Sequence, residues 1–244
     1  MKKVVAFPFT VLLGAMIFLS PVSNALGADL SGSIVYQSDE TQIRYVSEID
    51  EVESNAEIDR SIRQKVKEQA RAGKVSYSIT PESQQQVEQL LGVHFVENAL
   101  LDDMKHGAAQ KDQLNIFFDS STKVIETAYT RYLLDGNVSI SFRANTFFDV
   151  DEMIGSQKMY TRTFPKKDYS ISEKLYTSKN GKNFKIYTIT DRNSGTVAQY
   201  TMFRQDATDY ALYVSTATSP KGNKERAESL PEGYLSTLLD NFSF

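Results

Sequence analysis

The 244-residue chain has no cysteine and no tryptophan, and it has only two histidines. Without cysteine there is no disulfide framework, no thiolate nucleophile and no thiolate metal site, so the fold has to stand on packing alone. A lipid-modified N-terminal cysteine is excluded for the same reason. Three motifs that announce hydrolytic chemistry are also missing: a Gly-x-Ser-x-Gly elbow, a His-Glu-x-x-His helix and a Ser-x-x-Lys pair in a suitable setting. Basic residues are not concentrated into the footprint that nucleic-acid binding requires, and the pI of about 5.4 points the same way. No nucleic-acid partner is therefore expected.

What is present begins with an export signal. Met1, Lys2 and Lys3 make a positive start, and Val4 to Leu19 follow without a charge, the layout of a secretory leader. The run is shorter than the ~20 apolar residues of a membrane span, and Pro8 interrupts it. Small residues then offer cleavage between Gly27 and Ala28, with Ala25 and Gly27 at the −3 and −1 positions, or slightly earlier at Ser23 and Ala25. The sequence predicts a leader over 1–27, a secreted or extracytoplasmic product attached to the envelope noncovalently if at all, and no stable membrane span after cleavage.

Charge then divides the remainder. Residues 29–112 carry nine Lys and Arg against sixteen Asp and Glu, whereas residues 113–244 are nearly balanced. The acidic stretch, 28–92, reads as a segment with two helices. Ile58, Ile62, Val66 and Ala70 recur every four residues among charged neighbours, which predicts an amphipathic helix over 50–72 ended by Gly73. Thr80-Pro81 marks a second start, giving a helix over 81–91 with Gly92 at its C′ position. Leu30 to Val46, Val75 to Ile79 and Val93 to Val96 are expected as short strands, and 98–111 as a loop with a helical turn.

Residues 93–244 read as a β-rich domain. Segments near 114–118, 123–134, 138–147, 171–176, 184–190, 197–203 and 210–216 are rich in Tyr, Phe, Ile, Val and Thr. Asp135-Gly136 and Asn180-Gly181 predict hairpins. Leu235, Leu238, Leu239 and Phe242 then fall at helical spacing in a closing helix over 231–241. The expected fold class is α+β: an antiparallel meander with helices packed on one face, the short C-terminal helix among them.

Candidate chemistry is sparse. His94 and His106 bracket Glu97, Asp102 and Asp103, but the spacing fits no zinc pattern, and solvated loop residues are the alternative. Asp149, Asp151 and Glu152 offer oxygen ligands to a hard cation, yet Gly155 falls outside calcium-loop spacing and a surface turn is the competing reading. No cofactor is expected. Tyr129, Tyr132, Tyr200, Tyr210 and Tyr213 lie within the β region, either as cross-strand pairs or as an exposed aromatic face for ligand.

The Leu91-Gly92 entry, the aromatic meander with its Asn180-Gly181-Lys182 turn and the helix at Leu235 to Leu239 resemble an uncharacterised extracellular domain of Gram-positive bacteria. That domain occurs in secreted proteins and at the outer ends of some membrane-bound anti-sigma factors. Such a factor needs a sigma-binding domain and a membrane span ahead of it, for which the segment before Leu90 has no room. The resemblance implies a free outer-envelope binding or sensing module. From the residues alone the same function is expected: a non-enzymatic module engaging a protein, peptide, glycan or lipid, served by an open concavity between sheet and helix. The alternatives are a carboxylate-based hydrolase of wall polymer or peptide, and an inhibitor or chaperone of another secreted protein.

Overall fold

The computed structural model describes residues 32–107, 110–216 and 229–244. The expected leader, its cleavage at Gly27 and Ala28, and the polar loop over 220–228 lie outside the described residues. In chain order the elements are β1 (Gly32–Tyr36), β2 (Glu40–Ile49), α1 (Arg60–Arg71), β3 (Ser76–Ile79), α2 (Gln84–Leu91), β4 (Glu97–Asn98), α3 (Ala99–Asp102) and β5 (Lys105–His106). The β-rich part follows with β6 (Gln113–Phe118), β7 (Val124–Asp135), β8 (Val138–Phe147), β9 (Ser156–Pro165), β10 (Tyr169–Thr177), β11 (Asn183–Asp191), β12 (Val197–Gln205) and β13 (Thr208–Thr216). The chain closes with α4 (Tyr234–Leu239) and β14 (Phe242–Ser243). Strand outweighs helix by 51% to 17%, so this is a mostly antiparallel α+β fold with a short C-terminal helix.

Two sheets carry the architecture. The large one runs β10-β11-β12-β13-β8-β7-β6-β3, with β5 beside β7, and the small one runs β1-β2-β9. β10 to β13 form the expected meander, and both predicted hairpin turns are present, with Gly136 at φ 58° and Gly181 at φ 81°. β9 breaks the sequence of neighbours. It leaves the large sheet, so β8 pairs directly with β13, and it pairs with β2 over ten residues from Glu40↔Pro165 to Ile49↔Ser156. The chain before residue 93 thereby adds strands to both sheets, because β3 also pairs with β6.

Each face of the large sheet has its own core. On one, Ile62 and Val66 of α1, Val87 and Leu91 of α2 and Leu235 and Leu239 of α4 cluster with Leu114, Ile140, Phe142 and Leu212 from the strands. Fully burying one such side chain stabilises by about 1.5–3 kcal/mol. On the other, Ile43 and Tyr45 of β2 cluster with Tyr187, Ile189, Tyr200 and Met202 of the large sheet.

Several expectations need correction. The helix expected over 50–72 occupies only Arg60–Arg71, because Asp59 caps it by accepting from Ser61 N at 2.7 Å and Ile58, though buried, is extended. The second helix starts at Gln84 and not at Pro81, since the Ser83 hydroxyl, not Thr80, accepts from Gln86 N at 3.1 Å. Val93 to Val96 is not a strand. Its N–H groups find acceptors outside any ladder: Val93 N–H donates to Glu88 O at 3.2 Å, Phe95 N–H to Glu88 Oε1 at 3.1 Å and Val96 N–H to the Tyr210 hydroxyl at 3.2 Å. β9 had no counterpart among the expected strands.

Gly92 ends α2 in the left-handed region, φ 67°, while a Cβ there would lie 2.5 Å from the Glu57 Cβ and 2.9 Å from its carbonyl oxygen. Both constraints demand glycine. Gly92→Ala is expected to destabilise the fold by about 1–3 kcal/mol, read as a lower midpoint in urea unfolding with an unchanged slope.

Candidate functional site

The site is built where β9 crosses the large sheet. Its inward side chains reach different strands in turn, as strands packed at a steep angle require. Lys158 Nζ donates to Glu126 Oε2 of β7 at 2.6 Å, and the Tyr160 hydroxyl contacts both Asn145 of β8 and Asp209 of β13. The Arg162 guanidinium lies over the rings of Tyr213 and Tyr200, 4.6 and 4.9 Å from their centroids, and Phe164 packs edge-on against Tyr169 of β10.

Asp209 fixes that crossing. Its residue is 1% exposed, and it accepts from Ser47 Oγ of β2 at 2.5 Å, from Tyr160 Oη of β9 at 2.9 Å and from Arg204 Nη1 of β12 at 2.9 Å. Burial and then the Asp209 charge push the Tyr160 phenol far above its usual range, so Tyr160 is a donor to Asp209 throughout the physiological range. Its oxygen also accepts from Asn145 Nδ2 at 3.1 Å.

Beside this knot a cleft of about 440 Å³ opens between the two sheets, lined by Ser141, Arg143, Met159, Tyr160, Thr161, Arg162, Tyr200, Ala211 and Tyr213. Its floor is a row made by strand register: Tyr187, Tyr200, Tyr213, Ser141 and Tyr132 are successive cross-strand partners from β11 to β7. The small sheet covers the first two, which are buried, and leaves Tyr213, Ser141 and Tyr132 partly open. Arg143, exposed on the adjoining row, donates from Nε to Asn145 Oδ1 at 2.8 Å. Among the described residues neither Arg143 nor Arg162 forms an ion pair, while Lys158, Arg131 and Arg204 all do. Among the described residues the cleft lining contains no carboxylate and no histidine. It is a cationic, aromatic-floored slot whose guanidiniums are available to an anion.

The residues singled out in the sequence lie elsewhere. Asp149, Asp151 and Glu152 are exposed at the turn before β9, and among the described residues no three histidine or acidic side chains gather into a metal-holding group. His94 and Glu97 are exposed, Asp102 pairs with Arg131 at 2.9 Å, and Asp103 ends α3. His106 Nδ1 sits 3.4 Å from Asp112 Oδ1. Asp112 is buried and already accepts from the Tyr129 hydroxyl at 2.7 Å and from Tyr132 N at 3.3 Å, which pins the segment before β6 onto β7. Of the five tyrosines, Tyr129 and Tyr210 are buried in the helix-side core, Tyr200 in the other core, and only Tyr132 and Tyr213 face the open surface. The sequence points to an open, apolar concavity between sheet and helix; the cleft lies between sheet and sheet, and arginines and hydroxyls line it. A shallow hollow also lies at Asn180, Gly181, Lys182, Ser243 and Phe244. Its Lys182 amine is occupied in donating to Arg204 O and Gln205 Oε1, and burial lowers it to about 8.

Comparison of the chain with models of known protein families, with curated proteins and with solved structures finds no match.

Asp209→Ala should cost about 1–3 kcal/mol, because it takes the shared acceptor from Ser47, Tyr160 and Arg204 while Arg204 keeps Asp50 at 3.4 Å; calorimetry against the unsubstituted chain measures the loss. Alkaline stability tests the aromatic floor. Burial pushes the Tyr200 phenol up to about 12, above the value near 10 of an unfolded tyrosine. A folded value raised in this way contributes stability that is complete below about pH 10 and lost as pH rises toward about 12. Melting temperatures between pH 9 and 12 are expected to fall, and to fall less steeply in Tyr200→Phe.

Proposed function

We propose that this chain is a secreted, non-enzymatic binding module of the cell envelope, and that it captures an anionic group in the cleft between its two sheets. The observation that carries this reading is the pair Arg143 and Arg162. Two guanidiniums share one cleft, no acid lines it, and neither is neutralised by the protein among the described residues. Lys158, Arg131 and Arg204 by contrast each pair with a carboxylate. A cation left unpaired on an aromatic floor has part of its hydration removed without an internal partner to replace it, and an external carboxylate or phosphate supplies that partner.

The layering supports the same reading. Helices occupy one face of the large sheet, which leaves the other for the small sheet and for ligand. The leader read in the sequence and the resemblance to an outer-envelope domain set the compartment, where wall polymers and exported proteins supply anionic groups. A carboxylate hydrolase would need facing acids in its cleft, and the lining residues include none; the one carboxylate that reaches a lining hydroxyl, Asp209 behind Tyr160, is buried and engaged by Ser47 and Arg204 as well.

Titration calorimetry with oligoglutamate, polyphosphate and a uronic-acid oligosaccharide tests the reading. At least one is expected to bind, more weakly as salt is raised, with Arg143→Gln and Arg162→Gln each weakening it about tenfold or more. If no anion binds, or if both variants bind as well as the unsubstituted chain, the cleft is not an anion site.

A further inference from the structure

We infer that the ligand of this cleft is an extended acidic peptide that adds as a fourth strand to the free edge of β9. This inference rests on reading the cleft as an anion site, and the observation added to it is the state of the edge that forms its rim. Among the described residues β9 is hydrogen-bonded to β2 on one side alone, so on the other side alternate residues present N–H and C=O groups that no described strand pairs.

Folded proteins blunt such edges by shortening them, bulging them or placing charges and proline along them. The other outer strands follow that rule. β1 has five residues and β3 four, while β10 carries Glu173 and Lys174 at its centre. β9 is ten residues long and keeps an unbroken register with β2, and its proline comes only at the end, Pro165. Lys158, turned inward to Glu126, and Arg162, lying over the tyrosine rings, are the inward-pointing charges of this edge, and they favour an acidic partner strand over a second copy of the same edge. Met159, 62% exposed, adds an apolar contact at the rim.

A strand laid beside β9 would roof the cleft. Its side chains alternate, so every second one points down toward Ser141, Arg143 and Tyr213, and the others point to solvent. Charge selects which residues point down: with two unpaired guanidiniums and no acid below, glutamate or aspartate is favoured. Backbone pairing selects a polypeptide over an acidic glycan or a polyphosphate, which lack amides repeating at strand spacing. The mode is β-strand addition, in which the ladder supplies affinity and the alternate pockets supply specificity.

The test uses the full chain and a capped ten-residue peptide of alternating glutamate and threonine. Two further forms are N-methylated, one on every glutamate and the other on every threonine, and polyphosphate serves as an anion without a backbone. In a strand only alternate N–H groups face the neighbour, so one methylated form should bind like the parent and the other at least tenfold more weakly. Hydrogen exchange should slow at alternate amides within 159–163. Arg143→Gln should weaken the parent peptide about tenfold. Binding that is indifferent to both methylation patterns, or equally harmed by both, overturns strand addition. If polyphosphate then still binds in an Arg143-dependent way, the anion site itself stands. Failure of every probe to bind overturns both readings.

Discussion

Asp209 must leave water for β2 and β9 to lie on the large sheet, and a buried carboxylate is tolerated only where hydrogen-bond donors and a counter-charge replace its hydration. Three elements supply them: Ser47 from β2, Tyr160 from β9 and Arg204 from β12. Because the donors come from both sheets, the carboxylate can be satisfied only when the sheets are docked in one relation. The apolar cluster around Tyr45, Tyr187 and Tyr200 provides much of the attraction, but apolar contact is indifferent to small slips. The polar knot is not. The cleft inherits its shape from this fixed crossing, since Tyr160 belongs both to the knot and to the cleft wall.

The same crossing decides what the rest of the surface can be. With α1, α2 and α4 packed into one apolar cluster and the small sheet into the other, the open surface of the large sheet begins where the β9 edge ends. Register then composes that surface: Tyr213, Ser141 and Tyr132 in one row, Arg143 in the next. Four strands, β8, β9, β12 and β13, contribute to a cleft whose chemistry comes down to two guanidiniums and an aromatic floor.

Much of the β fold is written locally. Strand periodicity, the Asp135-Gly136 and Asn180-Gly181 turns and the closing leucines of α4 are short-range signals, and they appear in the structure near where the sequence places them. The stripe at Ile62 and Val66 likewise marks α1. β9 escaped because its inward side chains are Lys158, Tyr160, Arg162 and Phe164: half of its buried face is charged, so alternation in hydrophobicity is hidden. Val93 to Val96 misled for the opposite reason, being apolar enough for a strand while its N–H groups donate to Glu88 and Tyr210. The cleft had no local signature at all. Arg143, Arg162, Tyr200 and Tyr213 are isolated residues of ordinary type until pairing of distant strands brings them together, whereas the visible clusters, such as Asp149, Asp151 and Glu152, are neighbours only along the chain.

That dependence on distant pairing has a kinetic side. The β2–β9 ladder joins residues more than a hundred positions apart, and contacts of such long sequence separation form slowly, because the entropy of closing the intervening chain is lost before the ladder repays it. The two halves of the large sheet, β6 to β8 and β10 to β13, can each assemble from hairpins while β2 and β9 remain unpaired. The cleft is thus among the last features to exist during folding, and a chain that presents it has already completed its topology.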